Sequence, residues 1–158
     1  MAIPPFLAEL RGLVGTRPLW LSAACVVALD DQDRVLLGRR TDTRAWALPG
    51  GIIDPGEQPA DAAARECLEE TGVEVVPELL TSVTVSPPVT YPNGDQTRYL
   101  ELTFRCRVVG GTARVNDDES LEVAWFAQDA LPVLDASNQE RLTLALTCKG
   151  ETAFGFSG

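Results

Sequence analysis

The chain of 158 residues contains no histidine. That absence excludes imidazole-based zinc sites and Ser-His-Asp or Cys-His nucleophile systems. Acid–base chemistry must then come from carboxylates, Lys149, tyrosine or metal-bound water. Basic residues are scarce: 13 lysines and arginines stand against 23 aspartates and glutamates, a formal net charge of −10 with a pI near 4.4. This balance argues against a nucleic-acid polymer or an anionic membrane as partner. It still admits a small nucleotide whose phosphates a bound metal screens. No apolar run reaches the 18 or so residues of a membrane span, and MAIPPFLAELRGLVG lacks the basic start and long apolar stretch of a secretory signal. Cys25, Cys67, Cys106 and Cys148 form no CxxC pair. Neither a zinc site nor a disulfide framework is indicated, and reduced thiols in a cytoplasmic protein are expected.

What remains is an ordinary globular composition, 45% hydrophobic and 23% charged, long enough for one domain with a real core. We expect a single domain over residues 1–158, with 1–15 as a helical extension and 151–158 as a loosely held tail. Residues 4–14 read as an amphipathic helix that could pack on its own domain or on a second subunit, as in a homodimer. Residues 20–29 are almost wholly apolar, as in a strand covered on both faces. A turn at Asp30–Asp33 leads to a strand over 34–40 that ends in Arg39-Arg40, whose side chains point to opposite faces.

Residues 73–85 read as an extended segment interrupted at Pro77. Residues 86–96, SPPVTYPNGDQ, form a turn-rich loop, and such loops carry specificity more often than the scaffold does. Tyr91 and Asp95 are therefore candidate substrate contacts. Residues 99–109 alternate cleanly: Leu100, Leu102, Phe104, Cys106 and Val108 make one face, and a polar face opposes it. An acidic loop, Asn116-Asp117-Asp118-Glu119, precedes a strand ending in Trp125-Phe126. Ser137 and Glu140 have capping-box spacing and open a last helix.

The stretch from Gly50 to Val73, GGIIDPGEQPADAAARECLEETGV, concentrates the chemistry. Pro59 suits the first helical position, Asp61 the positive end of the helix dipole, and Gly72 a left-handed cap. These signals predict a helix over 59–71. At about 100° per residue, Glu66, Glu69 and Glu70 share one arc, while Ala60, Ala64, Cys67, Leu68 and Thr71 form another that can pack on a sheet. Three like charges on one face repel by a few tenths of a kcal/mol per exposed pair. All-oxygen clusters are what hard divalent cations require, and Mg²⁺ is typically held by carboxylates together with substrate phosphates.

The pattern Gly51, Glu57, Arg65-Glu66, Glu69-Glu70 and Gly72 resembles the Nudix box of the Nudix hydrolase superfamily. Seven fixed positions match; at about 7% usage per residue type, chance agreement is on the order of 10⁻⁸ per starting position. Cys67 departs softly, standing where the family usually has a larger aliphatic residue. The resemblance implies the Nudix fold, an α/β/α sandwich with a mixed β-sheet. It also implies Mg²⁺ or Mn²⁺ held by Glu66, Glu69 and Glu70, with the Gly50 carbonyl and Glu119 as further ligands. Arg65 would pair with Glu57 and orient the ligands. Arg40 matches a position that contacts substrate phosphate in related enzymes. The acidic loop and the strand after it supply Glu119 and Glu122 as additional metal, base or substrate contacts, and Asn138 could reach a base edge.

The reaction implied is hydrolysis of a diphosphate joined to another moiety, usually nucleosidic, with Glu69 the first choice of base and Glu66 or Glu119 open. Nucleotide sugars such as ADP-ribose, nucleoside triphosphates and dinucleoside polyphosphates all remain candidate substrates, with a lean toward a nucleoside diphosphate derivative. The alternative is a non-catalytic nucleotide-binding or regulatory module, which usually shows a degraded box. An isoprenyl diphosphate isomerase would need histidine-rich metal binding, which this chain lacks.

Overall fold

A computed structural model describes residues 3–156. Residues 1–2 of the expected extension and 157–158 of the expected tail lie outside them. In order, the elements are α1 (Pro5–Val14), β1 (Leu19–Leu29), β2 (Val35–Arg40), β3 (Trp46–Ala47), β4 (Gly50–Ile52), α2 (Pro59–Thr71), β5 (Val73–Val85), β6 (Val89–Thr90), β7 (Gln96–Gly111), β8 (Ser120–Phe126), α3 (Ala136–Thr147) and β9 (Ala153–Phe154).

The strands make one mixed sheet in the order β3-β2-β1-β7-β5-β9, with β4 pairing β1, β6 pairing β7 and β8 pairing β2. At its centre β1 and β7 run parallel, from Leu19 opposite Thr97 to Leu29 opposite Arg107. Helices cover both faces. Ala62, Ala63 and Cys67 of α2 pack with Ala24, Val26, Phe104 and Cys106, while Leu142 and Ala145 of α3 pack with Val27, Val35 and Leu37. The alternation along β1 explains this: Val26 and Ala28 go to one layer and Val27 to the other, as a strand buried on both sides requires. The result is the α/β/α sandwich with a mixed sheet that the sequence implied. Among the described residues, no helix is long and apolar enough to cross a membrane.

Several local expectations change. Pro77 does not interrupt the extended segment; β5 runs unbroken from Val73 to Val85 and absorbs the proline through register shifts against β7, as a bulge allows. The polar face of β7 is divided: α3 lies over Arg105, which donates to the carbonyls of Ala145 and Cys148, Tyr99 and Glu101 border a cavity, and Arg107 is exposed. Helix α3 is capped by Asp135, whose carboxylate accepts from Asn138 N–H at 2.8 Å, not by the Ser137–Glu140 pair. The tail is tied down, since Ala153 and Phe154 add a parallel edge strand to β5 and the Thr152 hydroxyl donates to Leu80 O at 2.8 Å. Helix α1 packs on its own chain, with Leu7 against Leu21 and Ile52. Trp46 is a packing residue, edge-on to Phe126 with ring centroids 4.8 Å apart. The four cysteines are unpaired.

Candidate active site

Helix α2 spans Pro59–Thr71 and stops where Gly72 adopts φ 69°, its N–H donating back to Leu68 O. A left-handed residue there costs glycine little. The buried face differs from the arc expected: Ala62, Ala63, Cys67 and Thr71 are buried, while Leu68 is 42% exposed. With Ala63 and Cys67 at its centre, the arc facing the sheet includes Glu66 and Glu70. Two carboxylates are therefore drawn partly out of water at the helix rim, while Glu69 remains 57% exposed.

Arg65 gathers this group. Its Nε and NH2 donate to the two Glu57 carboxylate oxygens at 2.8 and 2.9 Å. Its NH1 donates to Glu66 at 2.7 Å and Glu69 at 3.1 Å, and NH2 also reaches Ile52 O at 3.2 Å. The guanidinium fork suits such bidentate pairing. Glu57 also accepts from Asp54 N–H, which closes the loop before α2. The Arg65 hydrogen bonds hold the Glu57 carboxyl below its usual range. Glu70 accepts from Gly50 N–H at 3.2 Å.

The acidic loop is brought alongside by hydrogen bonds to the end of α2. Arg114 N–H donates to Thr71 O, and Asn116 donates through Nδ2 to Leu68 O and through its backbone to Glu70 O. A cavity of about 480 Å³ results, bordered by Glu66, Glu69, Asp117, Asp118, Glu119 and Asp54. Burial pushes the Glu66 carboxyl up, and the Glu69 and Glu119 charges add to this while Arg65 opposes it. Burial likewise raises Glu70, to about 8, with the Gly50 N–H opposing and Glu66, Glu119 and Asp117 reinforcing.

These donors are all oxygens, and their mutual repulsion is what a hard divalent cation relieves. The donor set therefore fits Mg²⁺ or Mn²⁺. Even so, among the described residues no three acidic or cysteine side chains stand close enough together to enclose an ion. Arg65 engages one oxygen of Glu66 and one of Glu69, which leaves the second oxygen of each carboxylate for a cation.

A pH dependence follows. In the cation-free protein the folded state keeps a proton on Glu70 up to about pH 8, whereas an unfolded carboxyl releases it near 4.3. Between these values the folded state binds more protons, so stability falls as pH rises. Thermal melts in EDTA should show Tm dropping from pH 5 to pH 8, with Glu70→Gln flattening that slope. An equally steep slope in the variant would assign the effect elsewhere.

Next to the acidic cavity lies a chamber of about 320 Å³ bordered by Leu7, Arg11, Ile52, Tyr91, Tyr99 and Glu119. A further one of about 370 Å³ reaches Glu101, Asn138 and Arg141. Arg40, Asp42 and Tyr91 border both. Arg40 donates twice to Asp42, at 2.9 and 2.7 Å, which holds the Asp42 carboxyl down at about 2. Glu70 and Glu119 also bear on the Arg40 charge. Tyr91 and Tyr99 share a hydroxyl hydrogen bond of 2.7 Å, and Asp95 faces Arg11.

The structure thus brings Gly50, Glu57, Arg65, Glu66, Glu69, Glu70 and Glu119 together and places Arg40, Tyr91 and Asp95 around the adjoining chambers. It does not bring in Glu122, which lies 3.8 Å from Arg39 and is 55% exposed. Nor is Asn138 open to a base edge in the manner expected: its Oδ1 accepts from Leu48 N–H and its Nδ2 donates to Asp135. Sequence reasoning missed Asp42, Asp54, Asp117 and the half-buried Glu101–Arg141 ion pair. Only the acidic composition of 116–119 signalled any of them.

The NUDIX domain model matches residues 19–146. A Bacillus subtilis protein named, provisionally, an 8-oxo-dGTP diphosphatase is 31% identical over 123 residues, covering 78% of this chain and 77% of its own length. The human 8-oxo-dGDP phosphatase NUDT18 is 36% identical over 112 residues; these are 67% of this chain but only 32% of that longer protein. An ADP-ribose pyrophosphatase from Streptococcus suis superposes with a TM-score of 0.67 at 23% identity, over 85% of this chain and 98% of its own, a likeness of fold. The chain belongs to the Nudix hydrolase family.

Proposed function

We propose that this protein hydrolyses the diphosphate linkage of a nucleoside diphosphate derivative, an ADP-ribose-like nucleotide sugar or a (deoxy)nucleoside triphosphate, with Mg²⁺ or Mn²⁺. The observation that carries the reading is the Arg65 clamp on Glu57, Glu66 and Glu69 at the mouth of a carboxylate-lined cavity. Glu66, Glu69 and Glu70 would hold the cation, with the Gly50 carbonyl and Glu119 as further ligands. A divalent cation there neutralises charge developing on phosphoryl oxygens and acidifies water. Glu69, the most exposed of the three, takes the proton of the attacking water on its carboxylate. Arg65 and Glu57 fix the orientation of the helix carboxylates. Arg40 exchanges Asp42 for a phosphate oxygen, to which its fork is equally suited. Relatives named for 8-oxo-dGTP and 8-oxo-dGDP favour a nucleoside polyphosphate among these substrates. The unpaired cysteines suit a cytoplasmic site of action.

The test is a panel of nucleoside triphosphates, 8-oxo-dGTP, 8-oxo-dGDP and ADP-ribose with each metal, followed by product identification. Release of a nucleoside monophosphate is expected, with EDTA lowering the rate by about 10²-fold or more and Mg²⁺ restoring it. Binding without any phosphate product would assign the chain to the non-catalytic class instead.

A further inference from the structure

Helix α1 and the two residues before it, Ile3 and Pro4, lie outside the stretch matched by the NUDIX domain model, which begins at residue 19, yet they are built into the walls of two cavities. Pro4 and Pro5 border the acidic cavity beside Glu66 and Glu69. Ile3, Leu7 and Arg11 border the adjoining chamber, across from Arg40, Tyr91 and Glu119. The helix is seated by apolar contact, Leu7 with Leu21 and Ile52, flanked by Phe6 and Tyr99. Ile52 is also the last residue of β4 and gives its carbonyl to Arg65. The helix thus touches the framework of the glutamate cluster itself.

Arg11 joins this helix to the 86–96 loop. Its NH1 donates to Gly15 O at 3.1 Å and Arg17 O at 2.7 Å, as an arginine near a helix C-terminus commonly does. Its NH2 donates to Gln96 O at 2.7 Å and Thr97 Oγ1 at 3.1 Å, and its Nε lies 3.6 Å from the Asp95 carboxylate. The side chain is 11% exposed and that of Asp95 18%. Within the loop, Tyr91 N–H donates to Asp95 O and Gly94 N–H to Tyr91 O. Holding Asp95 and Gln96 therefore holds Tyr91, whose hydroxyl meets that of Tyr99. Helix capping alone accounts for the first two contacts. The other three reach a distant segment and fix a chamber wall.

We propose that α1 is a wall of the substrate cleft and that Arg11 is a positioning residue. It clamps the 91–95 turn so that Tyr91 bounds the chamber receiving the group attached to the diphosphate. Leu7, Ile52, Tyr91 and Tyr99 give that chamber an apolar, ring-accepting lining, and Arg40 stands at its boundary. This inference rests on the nucleotide-hydrolase reading above and extends it to a segment that the family match leaves out.

The experiment measures KM and kcat of wild type, Arg11→Ala and Arg11→Lys on the best substrate of the panel, with amide hydrogen exchange over residues 86–96. Arg11→Ala is expected to raise KM about tenfold, the loss from one or two charge-assisted hydrogen bonds, with kcat within about twofold, the pattern of lost uniform binding. Exchange in the loop should quicken. Arg11→Lys keeps the charge but cannot span the same acceptors, so its KM should rise about threefold or more, and it serves if the alanine variant does not fold. An unchanged KM in a folded variant, or a kcat loss that merely tracks the folded fraction, would overturn the inference while leaving the hydrolase reading intact. A wild type inert toward the whole panel would overturn both.

Discussion

Replacing Glu69 by glutamine should lower kcat about 10²-fold or more, the scale of a positioned general base. The variant is nearly isosteric and its amide oxygen can still accept from Arg65, 3.1 Å away in the wild type. What it cannot do is take a proton. Because Glu69 is also a candidate cation ligand, the measurement must separate two roles. Turnover is followed against Mn²⁺ concentration up to saturation. A deficit that persists at saturating metal identifies the base; recovery at high metal makes Glu69 a ligand only and hands the base role to Glu66 or Glu119. An unaltered turnover would remove Glu69 from both.

The second large effect is expected from the smallest substitution. A Cβ on Gly51 would sit 2.5 Å from both the Glu66 carboxyl carbon and one of its oxygens. These atoms are the end of a flexible side chain, so the fold yields at little cost. The carboxylate moves, and with it the 2.7 Å contact to Arg65. Gly51→Ala should therefore keep its Tm within a few degrees while kcat/KM falls between about ten- and a hundredfold, as misplacements of about 1 Å do. Its neighbour offers the contrast. A Cβ on Gly50 meets Ala24 O and the Cys25 Cα, both of them backbone, at a φ of 154°, so Gly50→Ala should lose stability first. Full activity in Gly51→Ala would mean that the Glu66 position seen here is not the working one.

Local signals carried far in this chain and long-range ones did not. Pro59, Asp61 and Gly72 bound α2 in the sequence, and the helix runs between those limits because caps act through neighbouring backbone groups. Its inward face was misjudged by Leu68 against Ala62 and Ala63, since hydrophobicity favours leucine while close helix–sheet packing favours alanine. The edge strand at Ala153–Phe154 could not be read from its two residues; it exists because β5 leaves an edge to pair with. The glutamate cluster was legible through spacing within one helix and one loop. The ion pairs Arg40–Asp42, Arg11–Asp95 and Glu101–Arg141 were not. Two of the three join segments that only the finished sheet brings side by side.

The parallel marriage of β1 to β7 has a consequence for biosynthesis. Leu19 pairs with Thr97, and the pairing continues to Arg107, so while β2 and β4 can join one edge of β1 early, its other edge must wait for a strand made much later. At roughly 5–20 residues per second, that delay lasts seconds. Val26 can meet α2 before then, but Leu142 and Ala145 of α3, which cover Val27, come later still, and until they do that face of the nascent chain is open to aggregation or chaperone capture.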